Sequence, residues 1–199
     1  MTIPGWKMIV AKNKIQFMKR LLIIVCVSII SFYADAQLRG PSPGKAVVYF
    51  VRVSDLGFAI NFSYFDSATF IGIASGRNYF RYECDPGWHL FWARSENKAY
   101  VEADLEEGKI YFIEVVPQMG ALKASVDLYP VHPIRDEKYL KKILKMIDKQ
   151  NSELMTEEKM SKYRERLKET VDLGLDKYWD DKKKGKKMTQ LTREYAYER

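Results

Sequence analysis

Eight short apolar runs follow one another between residues 46 and 131, and polar turns separate them. The runs are rich in β-branched and aromatic residues, and in some, such as GFAINFSYF over 57–65, apolar and polar positions alternate. Alternation is typical of half-buried strands, and short turns join consecutive strands as antiparallel pairs. The pattern predicts an antiparallel β-sandwich-like domain over 46–133. The runs are 46–53, 57–65, 68–74, 78–84, 88–94, 98–105, 109–117 and 121–131.

The spacing of the apolar positions changes after Pro133. In RDEKYLKKILKMIDKQ, apolar residues recur at intervals of three and four, as they do on one face of a helix. A second apolar stripe follows Thr156, a residue type that caps helix starts. We therefore predict a C-terminal α-helical hairpin over 134–181 and a basic, polar tail over 182–199. The expected fold class is mainly β, an antiparallel β-sandwich-like domain followed by this helical hairpin.

The first 36 residues carry the pattern of a secretory signal peptide. The stretch MKRLLIIVCVSIISFYADAQ begins at Met18 with two basic residues, continues with a thirteen-residue apolar run and ends in small residues at Ala34 and Ala36. We expect cleavage between Ala36 and Gln37, with Met18 as an alternative start of translation. The apolar run is shorter than the roughly 20 residues that span a bilayer, and a retained membrane anchor is the alternative.

Export to the periplasm or cell envelope is the expectation that follows from this segment. Residues 37–45, QLRGPSPGK, form a predicted linker because Pro and Gly interrupt regular structure. Removal of the signal peptide would also remove Cys26. The mature chain would then keep Cys84 as its single cysteine and form no internal disulfide.

The net charge of +7 is concentrated at the two ends of the chain. Residues 37–134 contain nine basic and eleven acidic side chains, so we expect no basic groove for nucleic acid in the β domain. Residues 135–199 contain nineteen basic and fourteen acidic side chains. The basic helices could make peripheral contact with an anionic membrane surface, although solvated helix faces explain the same mixture of charges.

Residues 84–92, CDPGWHLFW, bring chemically reactive residue types together. Cys84 and His89 could form a thiolate–imidazole pair if Asp85, the nearest acid in the sequence, oriented the ring. A structural zinc site needs four Cys or His ligands, and the mature chain offers one Cys and two His. We therefore predict no metal site and no cofactor. The simpler interpretation is a hairpin corner in which DPG makes the turn, and we predict that the protein is not an enzyme.

Aromatic residues of the β domain form a candidate interaction surface. In WHLFW both alternating faces are apolar, so one face belongs to the core and the other meets the C-terminal helices, a partner or a ligand. We expect an unknown envelope protein as the partner, or alternatively a glycan or peptide as the ligand. The residues of this candidate surface are Tyr82, Trp88, His89, Trp92 and Tyr100.

Three motifs between Val47 and Tyr129 resemble a known bacterial family. They are the opening strand VVYFVR, the middle segment TFIGIASGRNYFRYECDPGWHLFWA and the closing hairpin ADLEEGKIYFIEV. These motifs resemble the family catalogued as domain of unknown function 2846, and the middle segment is also similar to PEGA-type surface β-domains. The resemblance implies a small, exported β-sandwich-like module without known activity, and it brings no catalytic residues.

The expected function is that of an exported cell-envelope protein, a non-enzymatic binding or structural module. A carbohydrate- or peptide-binding surface module is one alternative. A small enzyme that uses Cys84 and His89 is the other.

Overall fold

The computed structural model describes residues 38–119, 124–149 and 155–198. The predicted signal peptide over 1–36 and its cleavage site lie outside the described residues. No helix within these three ranges is both long and apolar enough to cross a membrane.

Nine strands form two sheets in the described part of the chain. Their bounds are β1 Ala46–Arg52, β2 Asn61–Asp66, β3 Thr69–Ser75, β4 Asn78–Cys84, β5 Gly87–Arg94, β6 Lys98–Leu105, β7 Ile110–Met119, β8 Ala124–Pro130 and β9 Thr189–Leu191. One sheet has the strand order β4-β1-β7-β8, and the other has the order β3-β2-β5-β6-β9. Strands β1 to β8 fall on the eight predicted runs, which confirms the prediction of a mainly β fold.

The prediction that the strands are antiparallel throughout is wrong for two pairs. β1 runs parallel to β7, with Val47 opposite Ile110, and β6 runs parallel to β9. A tight turn imposes antiparallel pairing only on strands that are consecutive in the chain. Five other strands separate β1 from β7, so no turn limits the direction in which they meet. Both sheets are therefore mixed.

The two sheets share one buried cluster of apolar side chains. Phe50 of β1 stacks on Phe80 of β4 at 4.8 Å between ring centroids, and it meets Phe91 of β5 edge-on at 5.5 Å. Every residue of β1 is buried. A strand whose two faces are both buried must be covered on both sides, so the sheet needs a second apolar layer outside this shared core.

The C-terminal helices supply the outer layers, and there are three of them in the described residues rather than the predicted two. They are α1 Glu137–Lys149, α2 Glu157–Arg166 and α3 Lys168–Lys183. α1 packs on the four-stranded sheet, where Ile143 and Met146 share a buried cluster with Tyr49 and Phe112. α2 and α3 cover the five-stranded sheet, so the helices do not pair as one hairpin but lie on opposite sheets.

The predicted polar tail is part of the fold. β9 adds to β6, and Leu191 is fully buried in the core between the sheets. Farther along, the backbone N–H of Tyr197 donates to the carbonyl oxygen of Ile110 at 2.8 Å. The sequence analysis missed these elements because a few apolar residues, set among many charged ones, do not produce a periodic signal.

Candidate functional site

The corner at residues 84–92 lies where β4 ends and β5 begins. Cys84 is the last residue of β4, and Gly87 is the first residue of β5, so Asp85 and Pro86 connect the two strands. The predicted hairpin is wrong, because β4 pairs with β1 in one sheet and β5 pairs with β2 and β6 in the other, so the connection crosses between the sheets. The Asp85 carboxylate accepts a hydrogen bond from Lys45 Nζ at 2.7 Å on the exposed outer side of the connection. Asp85 therefore does not orient His89 through its carboxylate, contrary to the sequence-based hypothesis.

The side chain that orients the His89 ring is Asp66, at the end of β2. The Asp66 Oδ2 atom lies 2.7 Å from His89 Nδ1 and also accepts a hydrogen bond from the Tyr82 hydroxyl at 3.1 Å. The other ring nitrogen, Nε2, lies 2.8 Å from the carbonyl oxygen of Asp85. Because each nitrogen faces an oxygen that can only accept, we assign a proton to both nitrogens, which makes the ring an imidazolium.

The charge of the His89 ring is also expected from its surroundings. Burial on its own lowers the pKa of His89. The hydrogen bonds to Asp66, Cys84 and the Asp85 carbonyl, together with the negative charge of Asp66, outweigh burial and raise the pKa to about 10. The side chains of His89 and Asp66 are mostly buried, so the two form a shielded ion pair at neutral pH.

The hydrogen bond from the Tyr82 hydroxyl to Asp66 connects this ion pair to the other sheet. Asp66 and His89 belong to the five-stranded sheet, and Tyr82 and Cys84 belong to the four-stranded sheet. The His89 ring also stacks on Phe91 in the shared core, with the two planes within 4° of parallel. The cluster of Asp66, Tyr82, Cys84 and His89, here called the corner cluster, packs against the core between the sheets.

The corner cluster is poorly arranged for nucleophilic chemistry. Nδ1 of His89 is hydrogen-bonded to Asp66 and Nε2 to the Asp85 carbonyl oxygen, so both ring nitrogens are already used within the corner. The Cys84 side chain is only 7% exposed, which restricts the approach of a substrate. In the described residues, no group of three or more His, Cys, Asp or Glu side chains could hold a metal ion.

The five residues of the candidate interaction surface do not lie on one surface. Tyr82 and His89 belong to the corner cluster, and Trp88 is 59% exposed. Trp92 and Tyr100 are buried beneath α2 and α3. The structure thus brings Tyr82 and His89 together and places the other three elsewhere.

Trp92 is held from several sides under these helices. Its indole ring stacks on Phe65 at 3.8 Å between centroids, and its Nε1 donates to the carbonyl oxygen of Ser67 at 2.9 Å. Above the ring, α3 passes so close at Gly174 that an added Cβ would lie 2.3 Å from the indole Cη2 atom. The Tyr100 hydroxyl donates to the Gly174 carbonyl oxygen at 2.7 Å, which anchors α3 to β6.

The sequence analysis missed a second unusual feature, the loop between β1 and β2. Arg52, at the end of β1, is 1% exposed, and its guanidinium donates to three backbone carbonyl oxygens of this loop. Nη2 bonds to Leu56 and Gly57 at 2.6 Å each, and Nη1 bonds to Ile60 at 2.9 Å. No carboxylate among the described residues forms an ion pair with this buried cation.

The loop that Arg52 holds exposes two apolar side chains. Leu56 is 49% exposed and Phe58 is 74% exposed. Between them, Gly57 has a φ of +61°, and a Cβ there would lie 2.7 Å from the Ile60 side chain, so this position favours glycine. A charged residue at the end of an apolar strand, followed closely by glycine, was the available sequence signal, but it is common in turns of every kind.

No family model matches this chain, and no curated protein matches it either. The resemblance to the domain of unknown function 2846 family therefore stays a prediction that depends on the three quoted motifs.

Proposed function

We propose that this protein is an exported, non-enzymatic binding module of the cell envelope with a β-sandwich-like core. We further propose that it contacts a protein partner through the loop that carries Leu56 and Phe58, here called the apolar loop. The signal-peptide pattern of residues 1–36 supports export. The observation that carries the binding proposal is the attachment of the apolar loop to the buried guanidinium of Arg52.

Burying the charge of Arg52 without a carboxylate partner is unfavourable, and burial lowers the pKa of Arg52. The three hydrogen bonds to the loop, and the Phe62 ring 4.8 Å from the guanidinium carbon, offset this cost. What the arrangement achieves is a fixed loop conformation. A loop that is already ordered loses less entropy when a partner binds, which makes it suitable as a contact site.

The exposed side chains fit the same purpose. A phenylalanine that is 74% exposed gains the hydrophobic free energy of burial only when another molecule covers it. Aromatic residues frequently dominate the binding energy of protein interfaces. Since the helices already cover the outer sheet surfaces around Tyr49 and Trp92, the ends of the domain remain as contact surfaces.

The non-enzymatic part of the proposal is supported by the corner cluster. Both nitrogens of His89 are used in hydrogen bonds, and Cys84 is buried. These groups therefore stabilise the corner instead of activating a nucleophile.

A second candidate function is the binding of a glycan or peptide, and one cavity favours it. A cavity of about 460 Å³ lies between the start of β3 and the helices, with Thr69 and Phe70 on one side and Arg164, Lys168 and Asp172 on the other. This volume lies in the range of small-molecule sites. Saturation-transfer NMR with mixtures of oligosaccharides and peptides tests this candidate. We expect magnetisation to pass from the protein to a bound compound, and Phe70→Ala to abolish this transfer.

Site-specific photocrosslinking in intact cells tests the proposed function. A photoreactive phenylalanine analogue replaces Phe58, and in a matched control it replaces Trp179, a comparably exposed side chain on α3. We expect a defined protein adduct from position 58 that is absent from position 179. Equal adducts from both positions, or none from position 58, would contradict the proposal.

A further inference from the structure

We propose that the cleft between β6, β8 and the segment that precedes β9 binds a phosphate group of a ligand. The cleft has a volume of about 240 Å³. Its polar lining includes Lys98, Lys186, Lys187, Asn97, Asp127 and Tyr129, and we call it the lysine cleft.

The charges of the lysine cleft are not balanced by the protein. Three ammonium groups and a single carboxylate, that of Asp127, are among its lining residues. Lys186 Nζ lies 3.1 Å from the Asp181 carboxylate, which also forms a closer ion pair with Lys177. Lys98 and Lys187 form no ion pair with any residue that the structure describes. The lining therefore keeps a net charge of about +2, which a phosphate dianion would neutralise.

The position of Lys98 strengthens this inference. Its side chain is partly buried, Arg94 lies opposite it on β5, and Lys177 is a second cation that repels it. Burial, followed by repulsion from these two cations, lowers the pKa of Lys98. A bound anion would relieve the repulsion, so the like charges that destabilise the free protein would contribute to ligand affinity.

The walls of the lysine cleft are fixed before any ligand arrives. The Asn97 side chain donates to the carbonyl oxygen of Val126 at 2.8 Å and accepts from the Val126 N–H at 2.7 Å. These paired bonds attach the turn before β6 to the edge of β8. On the opposite side, β9 pairs with β6, which positions Lys186 and Lys187 at its entrance.

The chemistry of lysine favours phosphate over a planar carboxylate. An ammonium group is a compact point charge that binds phosphate without the paired geometry that arginine offers to carboxylates. The phosphate could belong to a small soluble compound or to a lipid headgroup. A phosphate monoester from either source presents the same dianionic group to the cleft. The cleft lies on elements separate from the apolar loop.

The test compares the full-length chain with two double variants that lose the same charge. Lys98→Gln/Lys187→Gln removes the unpaired cations of the cleft, and Lys141→Gln/Lys162→Gln removes two exposed helix lysines elsewhere. The probes are inorganic phosphate, followed by amide NMR shifts, and phosphatidylcholine vesicles with or without phosphatidic acid, followed by sedimentation. All three proteins retain residues 1–36, so any vesicle binding by that segment is common to them.

We expect saturable phosphate-induced shifts around Thr189 in the wild type and in the helix variant, with affinity at least about tenfold weaker in the cleft variant. Vesicle binding that requires phosphatidic acid and is lost only in the cleft variant would also support the site and would identify a lipid source. The proposal is overturned if neither probe binds the wild type, or if both double variants lose binding equally. Circular dichroism confirms that each variant is folded.

Discussion

The contact between Gly174 and Trp92 means that Gly174→Ala should have two opposite effects on the free energy of unfolding. Gly174 lies inside α3, where replacing glycine by alanine ordinarily stabilises a helix by about 1 kcal/mol. In this structure the added Cβ would lie 2.3 Å from one indole carbon and 2.8 Å from two others. Distances this short do not occur between packed carbon atoms, so either the ring or the helix has to move.

The surroundings of Trp92 make the movement costly. The ring is fully buried, stacks on Phe65 and donates a hydrogen bond to the Ser67 carbonyl. If α3 moves away instead, the hydrogen bond from Tyr100 to the Gly174 carbonyl is stretched. Overpacking of a filled core costs about 1–3 kcal/mol, which exceeds the helical gain in most of that range. We therefore expect Gly174→Ala to lower the free energy of unfolding by about 1–2 kcal/mol.

Equilibrium urea denaturation followed by circular dichroism measures this change, with Leu173→Ala as the control on the exposed side of the same helix. The control should change the free energy of unfolding by no more than about 0.5 kcal/mol. The smaller ring in Trp92→Phe should reduce the cost of Gly174→Ala, which a double-mutant cycle detects. If Gly174→Ala instead stabilises the protein by the helical gain alone, α3 does not pack on Trp92 and this reasoning fails.

Three other predictions concern the corner cluster and the apolar loop. Asp66→Asn should lower the free energy of unfolding by about 3 kcal/mol because it leaves the His89 cation without its partner. Because the pKa of His89 is raised from 6.5 to about 10, this stabilisation should be complete below pH 6.5 and be lost as the pH rises through about 10. A difference between wild type and variant that does not change with pH in denaturation experiments would refute the ion pair. Cys84 should react slowly with a thiol reagent unless denaturant is added, whereas fast labelling of the native protein would show an accessible thiol. Phe58→Ser should change the free energy of unfolding by no more than about 0.5 kcal/mol, and a larger loss would show that the ring packs in the core.

The apolar pattern predicts the strands well because each strand is set by its own residues. β1 is apolar at almost every position, and a continuous apolar run of this kind is typical of a strand that is covered on both faces. The C-terminal stripes likewise predict helices. The pattern does not show on which sheet each helix packs. Ile143 packs on the four-stranded sheet and Tyr178 on the five-stranded sheet, although both belong to similar apolar stripes.

The candidate sites were less predictable because they depend on residues far apart in the sequence. Asp66 and His89 are 23 positions apart, and only the pairing of β2 with β5 brings them together. Asp85, which is closer in the sequence, turns outward to Lys45. Likewise, the lysine cleft forms only because the chain returns after α3 and places Lys186 and Lys187 beside Lys98.

The central claim is that the reactive residue types of the 84–92 corner stabilise the fold, and the protonation state of His89 tests this claim most directly. Two-dimensional ¹H–¹⁵N NMR of the histidine ring follows both nitrogens as the pH is raised. The structure predicts that Nδ1 and Nε2 both keep their protons until close to pH 10, the pKa expected from the bonds to Asp66, Cys84 and the Asp85 carbonyl. A neutral ring that forms with a midpoint near 6.5 would show that these bonds do not stabilise the charged ring, and it would contradict the claim.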